Sequence, residues 1–454
     1  MSQTSDPTGN WYRYSYTWPS TYMPDYPKLG LWPDGYYLTV NQFSQVGSWR
    51  GAGVAAFERS KMLTGATAQT IYYNLYSYNS AYGGMLPADW EGTTQPPSGA
   101  PCPYMEWDDS TWIAPSDALR IWNFHVDWTT PANSYFGSSL APNYTLATAD
   151  VNPSICASSP CIDQPGTAQN LDEISDRLMF RLQYRNFPTY QAMVTNHTVS
   201  IGSNNAGIHW YELRNTGSGW TIYQQGTYGP AGASRWMGSI AMDQSGNMAL
   251  GFSISSSSIY PSIRYVGRLA ADTLGTMPQS ETTLVTGAGY QSDSYARWGD
   301  YSSMQIDPSD GCTFWYTQEY AAASGSYNWY TRIGAFTFGS GQCNPTAVEL
   351  ARFEAWPEGA PIHVEWETVS EIDNLGFNLY RAGAPDGPYT KLNDELIPTQ
   401  VPGQPGGAVY VWPDSTVRAG RTYYYQLEAM DIYGNTAMHG PIRVKAGPTF
   451  RTKP

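Results

Sequence analysis

Four segments of this chain repeat one plan: a charged or aromatic start, an alternating strand, a turn carrying Asp, and a second strand. They are DYPKLGLWPDGYYLTVNQF from Asp25, DRLMFRLQYRNFPTYQAMVTNHT from Asp176, RWMGSIAMDQSGNMALGFS from Arg235 and RWGDYSSMQIDPSDGCTFWYTQEY from Arg297. Period-two alternation gives each strand one face for a core, and a repeated unit that cannot bury its own faces must stack them on its neighbours. The last three starts lie roughly 60 residues apart, a length that suits a four-stranded blade. The wider gap after Asp25 leaves room for one or two divergent units, with DALRIWNFHVDW from Asp117 as a candidate. The spacing predicts an all-β chain with a multi-bladed β-propeller of about five to seven blades over residues 1–345. The turns WPDG, MDQSGN and DPSDG place Gly, Asn and Asp where the chain reverses. Helical periodicity is confined to Phe57–Leu63 and Leu171–Leu178, each predicted as a short helix.

Composition agrees, because 36 Tyr, 18 Trp, 44 Gly and 33 Pro with only 14% charged residues favour strands and tight turns. A net charge of −14 works against nucleic acid and anionic membrane surfaces, both of which need basic protein. No apolar run is long enough to span a bilayer, so no membrane insertion is expected. The opening MSQTSDPTGNW has neither the charged nor the apolar region of an export signal. Cys156 with Cys161, and Cys312 with Cys343, are spaced for two disulfides and leave Cys102 over. Two disulfides imply an oxidising, extracellular or cell-surface location. No CxxC or His-rich spacing suggests a zinc site.

After Cys343 the texture changes. HVEWETVS puts Trp366 on an early strand, and RTYYYQLEAMDIYGN puts Tyr423 and Tyr425 on a late strand before a turn at Gly434. These positions resemble a fibronectin type III module, so residues 346–454 are expected to form a separate β-sandwich with a short tail.

The segments DPTGNWYRY, DYPKLGLWPDGYYLTVNQF, GAGVAAFERSKML, WNFHVDWTTPANSYF, DRLMFRLQYRN, RWMGSIAMDQSGN, RWGDYSSM and VEWETVSEIDNLGFNLYRA, spread over nearly the whole chain, resemble a poorly characterised group of large exported bacterial proteins frequent in Chloroflexi. The resemblance implies a propeller followed by a fibronectin-like domain. It implies no reaction and no catalytic residues. Members carry further sequence ahead of the segment matching DPTGNWYRY, so an N-terminal portion is expected to be missing here.

Propellers bind ligands where the innermost strands converge, and the repeat starts supply side chains there. Asp25, Lys28, Asp176, Arg177, Arg235 and Arg297, with Asp300, come from equivalent places and form a candidate ligand ring. Arg177, Arg235 and Arg297 can clamp a carboxylate, while the alternative is that these charges tie blades together. A sialidase-like glycoside hydrolase acting on extracellular polysaccharide needs such arginines with a Tyr nucleophile, a Glu beside it and an Asp acid, for which Tyr316, Glu319 and Asp300 are the candidates. Glu106, Asp108 and Asp109 offer oxygen ligands for a structural calcium, against a solvated acidic loop as the alternative. His125 and Asp127, two apart, share a strand face as an acid/base pair or as a satisfied core histidine. Without a G-x-S-x-G elbow, no serine hydrolase triad is indicated. Tyr-rich runs such as WYRYSYTW and YNLYSYNSAYGG offer rings for sugar stacking. The expectation is an extracellular, non-catalytic binding, adhesion or scaffold protein for a polysaccharide or cell-surface protein, with glycoside hydrolysis as the alternative and no cofactor.

Overall fold

The computed structural model describes all residues except 5, 19–20, 114, 339–342, 344–347, 359–360, 372–373, 402–406, 432–435 and 448–454. The chain divides into two compact units, Met1–Cys343 and Asn344–Pro454. The turn expected at Gly434 and most of the segment joining the units lie outside the described residues.

The first unit is built from five groups of antiparallel strands. Strands β1 (Met23–Leu31), β2 (Gly35–Phe43), β3 (Trp49–Glu58) and β4 (Thr70–Asn74) form the first, in that order. The second holds β5 (Leu86–Trp90), β6 (Cys102–Asp108), β7 (Ala118–His125), β8 (Tyr135–Phe136) and β9 (Tyr144–Ala147). The third holds β10 (Met179–Asn186), β11 (Gln191–Ser200), β12 (Ala206–Asn215) and β13 (Trp220–Tyr228). The fourth is β14 (Ser234–Met242), β15 (Met248–Ser255), β16 (Ser262–Arg268) and β17 (Thr282–Val285), and the fifth β18 (Ser303–Ile306), β19 (Phe314–Tyr320) and β20 (Tyr330–Phe336). The second and third groups merge into one sheet because β5 and β10 pair in parallel, Leu182 opposite Ala88 and Tyr184 opposite Trp90.

The groups pack face on face, which makes the arrangement propeller-like. One core joins Tyr37 and Val54 of the first group to Tyr104 and Trp122 of the second and Leu182 and Tyr211 of the third. A second joins Val194 and Trp210 to Ile240 and Phe252, and a third joins Ala249 and Ile263 to Met304, Phe314 and Tyr316. Between the first and last groups, the rings of Tyr26 and Tyr301 meet edge to face at 5.3 Å.

Side chains link the first strands of the groups where backbone pairing stops. Arg181 of β10 bonds Asp89 and Glu91 at the end of β5 and the Met304 carbonyl of β18. Gln183 exchanges bonds with the backbone of Met242 on β14, at 3.1 and 2.7 Å, and Glu91 accepts the Ile306 N–H. Gly30 lets β1 lie against β5, since a Cβ there would stand 2.4 Å from the Ala88 carbonyl oxygen.

Three sequence expectations are corrected. The second group starts at Leu86 rather than Asp117, which instead lies just ahead of β7; β5 has only five residues, one of them Pro87, and so carries little strand signal. Within Phe57–Leu63 helix forms only at Arg59–Met62, because Phe57 and Glu58 end β3. Leu171–Leu178 is not helical; Asp172 bonds the Ile174 N–H and Ile174 has a positive φ of 39°.

The second unit has two sheets. One is β21 (Glu349–Pro357), β22 (Ile362–Ser370) and β26 (Val409–Asp414); the other is β23 (Asn374–Ala382), β24 (Thr390–Lys391), β25 (Ile397–Pro398), β27 (Thr422–Asp431) and β28 (Thr436–Lys445). Trp366 and Tyr410 of the first sheet pack with Phe377, Leu379, Tyr425 and Leu427 of the second in a core of their own. Tyr423 is only partly buried at its margin.

Candidate functional site

The starts of the first strands open onto one cleft, formed by two adjoining cavities of about 540 and 370 Å³. Asp25 comes from β1, Asp172 to Arg177 from the segment ahead of β10, and Arg297 from the segment ahead of β18. Asn41 and Phe43 at the end of β2, with Asp176 and Arg177, line both cavities. The smaller cavity adds Trp49, Gly83, Trp107, Asp108, Trp112 and Ile113.

The hairpin from β2 to β3 holds Phe43 and Trp49 edge to face at 5.5 Å, and the Trp49 indole is fixed by a 2.6 Å bond to the Ser80 carbonyl. Across the cavity Trp107 meets Trp112 at 5.8 Å, and Trp112 keeps 48% of its surface exposed. Aromatic faces rim a polar floor, the arrangement that takes the apolar face of a sugar ring while side chains bond its hydroxyls.

The charges are largely matched inside the protein. Arg177 donates from Nε and Nη2 to Asp176 at 2.7 and 2.6 Å, Arg297 pairs with Asp300, and Arg120 with Asp108. Beyond these pairs the larger cavity carries Asp25, Asp172 and Glu173, so the cleft is acidic. Burial pushes the Glu173 carboxyl above the ordinary range and does the same to Asp108, against the pull of Arg120. Lys28 lines neither cavity; its ammonium stands 3.8 Å from the Tyr26 ring and 4.4 Å from that of Tyr301. Burial and the neighbouring Arg177 bring its pKa down to about 7.

Of the residues singled out from sequence, Asp25, Asp176, Arg177 and Arg297 line the cleft. Arg235 does not: it is buried on β14, bound to Glu281 at 2.7 and 3.2 Å and to the carbonyls of Pro230 and Ala233. The three arginines therefore form no common clamp, and the two in the cleft already hold carboxylates. Tyr316 is closed off from solvent in the core between the fourth and fifth groups. Glu319 accepts the Gly299 N–H at 2.9 Å, and burial raises its pKa to about 6. Neither lines either cavity.

The acidic triplet also separates. Glu106 is fully buried, burial and the neighbouring Asp108 pushing its carboxyl well up; Asp108 pairs with Arg120, and Asp109 bonds Thr111. Among the described residues, three potential metal ligands come within 4.8 Å of one another only at Cys156, Cys161 and Glu173, and the two cysteines are a disulfide. Cys312 is joined to Cys343, and Cys102 is buried and free. His125 stacks on Tyr135 at 5.1 Å, while Asp127 bonds the N–H groups of Thr129 and Thr130 in a turn. Much of the WYRYSYTW run packs on the first group, Tyr16 against Phe57 at 4.7 Å and Trp18 against Tyr72 at 4.9 Å.

Sequence reasoning missed Phe43, Trp49, Trp112, Asp172 and Glu173. The available signal was the aromatic pair flanking the β2–β3 turn and the second Trp of WDDSTW. No helix of the described residues is long and apolar enough to cross a membrane.

No family model matches the chain, and neither does any curated protein. Among solved structures it is similar to an unknown function protein from Dyadobacter fermentans, at 11% identity and TM-score 0.35 over 77% of this chain and 91% of that one. The Penicillium chrysogenum alpha-L-arabinanase matches at 8% identity and TM-score 0.36 over 70% of this chain and 95% of that one. The Trypanosoma rangeli sialidase matches at 9% identity and TM-score 0.34 over 96% and 87%. Likeness at this level carries no functional information.

Proposed function

We propose that this chain is an extracellular polysaccharide-binding protein whose cleft at the starts of the first strands holds a neutral glycan. The supporting observation is the pairing of an aromatic rim, Phe43, Trp49 and Trp112, backed by the buried Trp107, with a floor whose arginines are already matched to Asp176 and Asp300. An acidic floor with no free guanidinium disfavours an acidic sugar and suits hydroxyl-rich, uncharged rings. In this reading the five strand groups are the blades of a closed propeller, the second unit is a fibronectin type III-like spacer, and the chain is a member of the exported bacterial group that it resembles. The two disulfides support an oxidising location.

Affinity gel electrophoresis with xylan, glucomannan and hydroxyethylcellulose tests the binding. Retardation by at least one polymer, weakened roughly tenfold in Trp112→Ala and in Trp49→Ala, is expected. Retardation that both substitutions leave unchanged overturns the cleft assignment.

A second reading, glycoside hydrolysis, is favoured by one observation: Glu173, with a carboxyl pushed up by burial, shares the larger cavity with Asp25 and Asp176. A carboxyl whose acidity burial weakens, facing further carboxyl groups across one cavity, is the layout of a general acid with its partner. Reducing-end release from the same polymers, lost in Glu173→Gln, selects this reading; binding without release selects the first.

A further inference from the structure

The ends of the same strands frame a second groove, formed by two adjoining cavities of about 330 and 320 Å³ that share Glu91, Gly92, Arg185 and Pro308. Arg177 at the head of β10 lines the cleft, whereas Arg185 near its foot lines the groove. They stand eight positions apart in sequence, Arg177 just ahead of β10 and Arg185 next to its last residue.

Arg185 is only 5% exposed, and its Nε and Nη2 are enclosed without a hydrogen-bond partner. The carboxylates nearest in charge, Glu91 and Asp243, are already engaged. Glu91 is held by Arg181, Gln183 and the Ile306 N–H, and Asp243 by Ser245 and Asn247. A buried guanidinium that lacks partners is costly, and a fold keeps one most readily where a ligand completes it. Gly92 leaves its face open, since a Cβ there would stand 3.3 Å from the Arg185 Cζ. Thr93, Thr94, Asn186 and Ser309 add hydroxyl and amide groups to the walls, and the carboxylates there are engaged within the protein, Asp89 by Arg181, Asp307 by Ser309 and Trp315, and Asp310 by the N–H groups of Cys312 and Thr313.

We propose that this groove is a binding site for a small carboxylate, seated on the fork of Arg185 and distinct from the glycan cleft. The planar guanidinium matches a carboxylate through two parallel N–H bonds, and the enclosed setting strengthens both.

Calorimetry and thermal unfolding with sodium glucuronate, glucose and inorganic phosphate test it. Glucuronate is expected to bind the wild-type protein and raise its Tm, and glucose to do neither. Arg185→Lys keeps the charge but loses the fork, so glucuronate affinity falls about tenfold or more. Arg185→Gln abolishes binding, while its Tm without ligand stays equal or rises because an unpaired buried charge is gone. Trp112→Ala, in the cleft, leaves glucuronate binding unchanged. Binding retained in Arg185→Gln, a response to phosphate without one to glucuronate, or no binding at all overturns the proposal. Should Arg185→Gln fail to fold, hydrogen exchange of the wild-type protein decides: glucuronate must protect the backbone at 91–94 and 309–311, and unchanged exchange overturns the site.

Discussion

The ammonium of Lys28, on the first strand of the first group, stands 4.4 Å from the ring of Tyr301, just ahead of the first strand of the last. The contact joins the two ends of the five-group array, and it places a buried cation among Tyr26, Tyr301, Arg177 and Asp25. Its pKa of about 7, against an ordinary 10.5, means that between these values the unfolded chain keeps a proton that the folded chain has lost. Stability therefore rises with pH across that window and is unaffected by Lys28 below it. Thermal unfolding followed by circular dichroism should show a gain on the order of 2 kcal/mol by about pH 9. Lys28→Met should flatten the rise, and an unchanged slope would remove Lys28 as its source.

Arg181 carries a different kind of contact, because its guanidinium is shared between Asp89 and Glu91 of the second group and the Met304 carbonyl of the fifth. Its side chain is only 3% exposed. Arg181→Met leaves two enclosed carboxylates without their cation, which should cost about 3–5 kcal/mol in denaturant unfolding. A loss under about 1 kcal/mol would mean that the first strands are held by packing alone.

How far the sequence reached can be traced through these residues. Period-two alternation and Asp-containing turns marked β1, β10, β14 and the β18–β19 pair because each shows its own face pattern within a few residues. β5 stayed hidden, since it is short, contains Pro87 and pairs in parallel with a strand far along the chain, and no local pattern encodes that. Asp25, Asp176, Arg177 and Arg297 were found because repeat starts converge. The aromatic rim was not, because Trp49 opens β3 directly after a turn and Trp112 lies on one, and these turns differ from group to group. Nor does sequence distinguish the free guanidinium of Arg185 from the matched one of Arg235, four strands later, as pairing is a property of the folded neighbourhood.

Glu319 gives an acid-side test. Burial raises its carboxyl to about 6 from 4.5, so between those values the folded chain holds a proton that the unfolded chain releases, and stability falls as pH rises. Glu319→Gln keeps an acceptor for the Gly299 N–H and removes the titration. Its Tm should gain on wild type by the equivalent of about 2 kcal/mol between about pH 4.5 and 6. A constant difference across that range would argue that Glu319 does not titrate there.

The last prediction concerns the second unit. Tyr410 stacks on Trp366 at 5.1 Å, with the rings parallel to within 1°. Its hydroxyl lies 2.7 and 2.8 Å from the two carboxylate oxygens of the buried Glu371, and it accepts the Gln400 N–H at 2.7 Å. Thr368, Thr399 and the Val401 N–H donate to Glu371 as well. Tyr410→Phe keeps the ring in place, so the stacking survives while the carboxylate loses its best-shared donor and the Gln400 N–H its acceptor. An enclosed group deprived of a partner costs about 1–3 kcal/mol. Because Trp366, Tyr410 and Phe377 belong to a core made only of residues from Val348 to Ala446, calorimetry should resolve two transitions, of which Tyr410→Phe lowers one by several degrees and leaves the other in place. A single transition, or two that move together, would mean that the units unfold as one cooperative body.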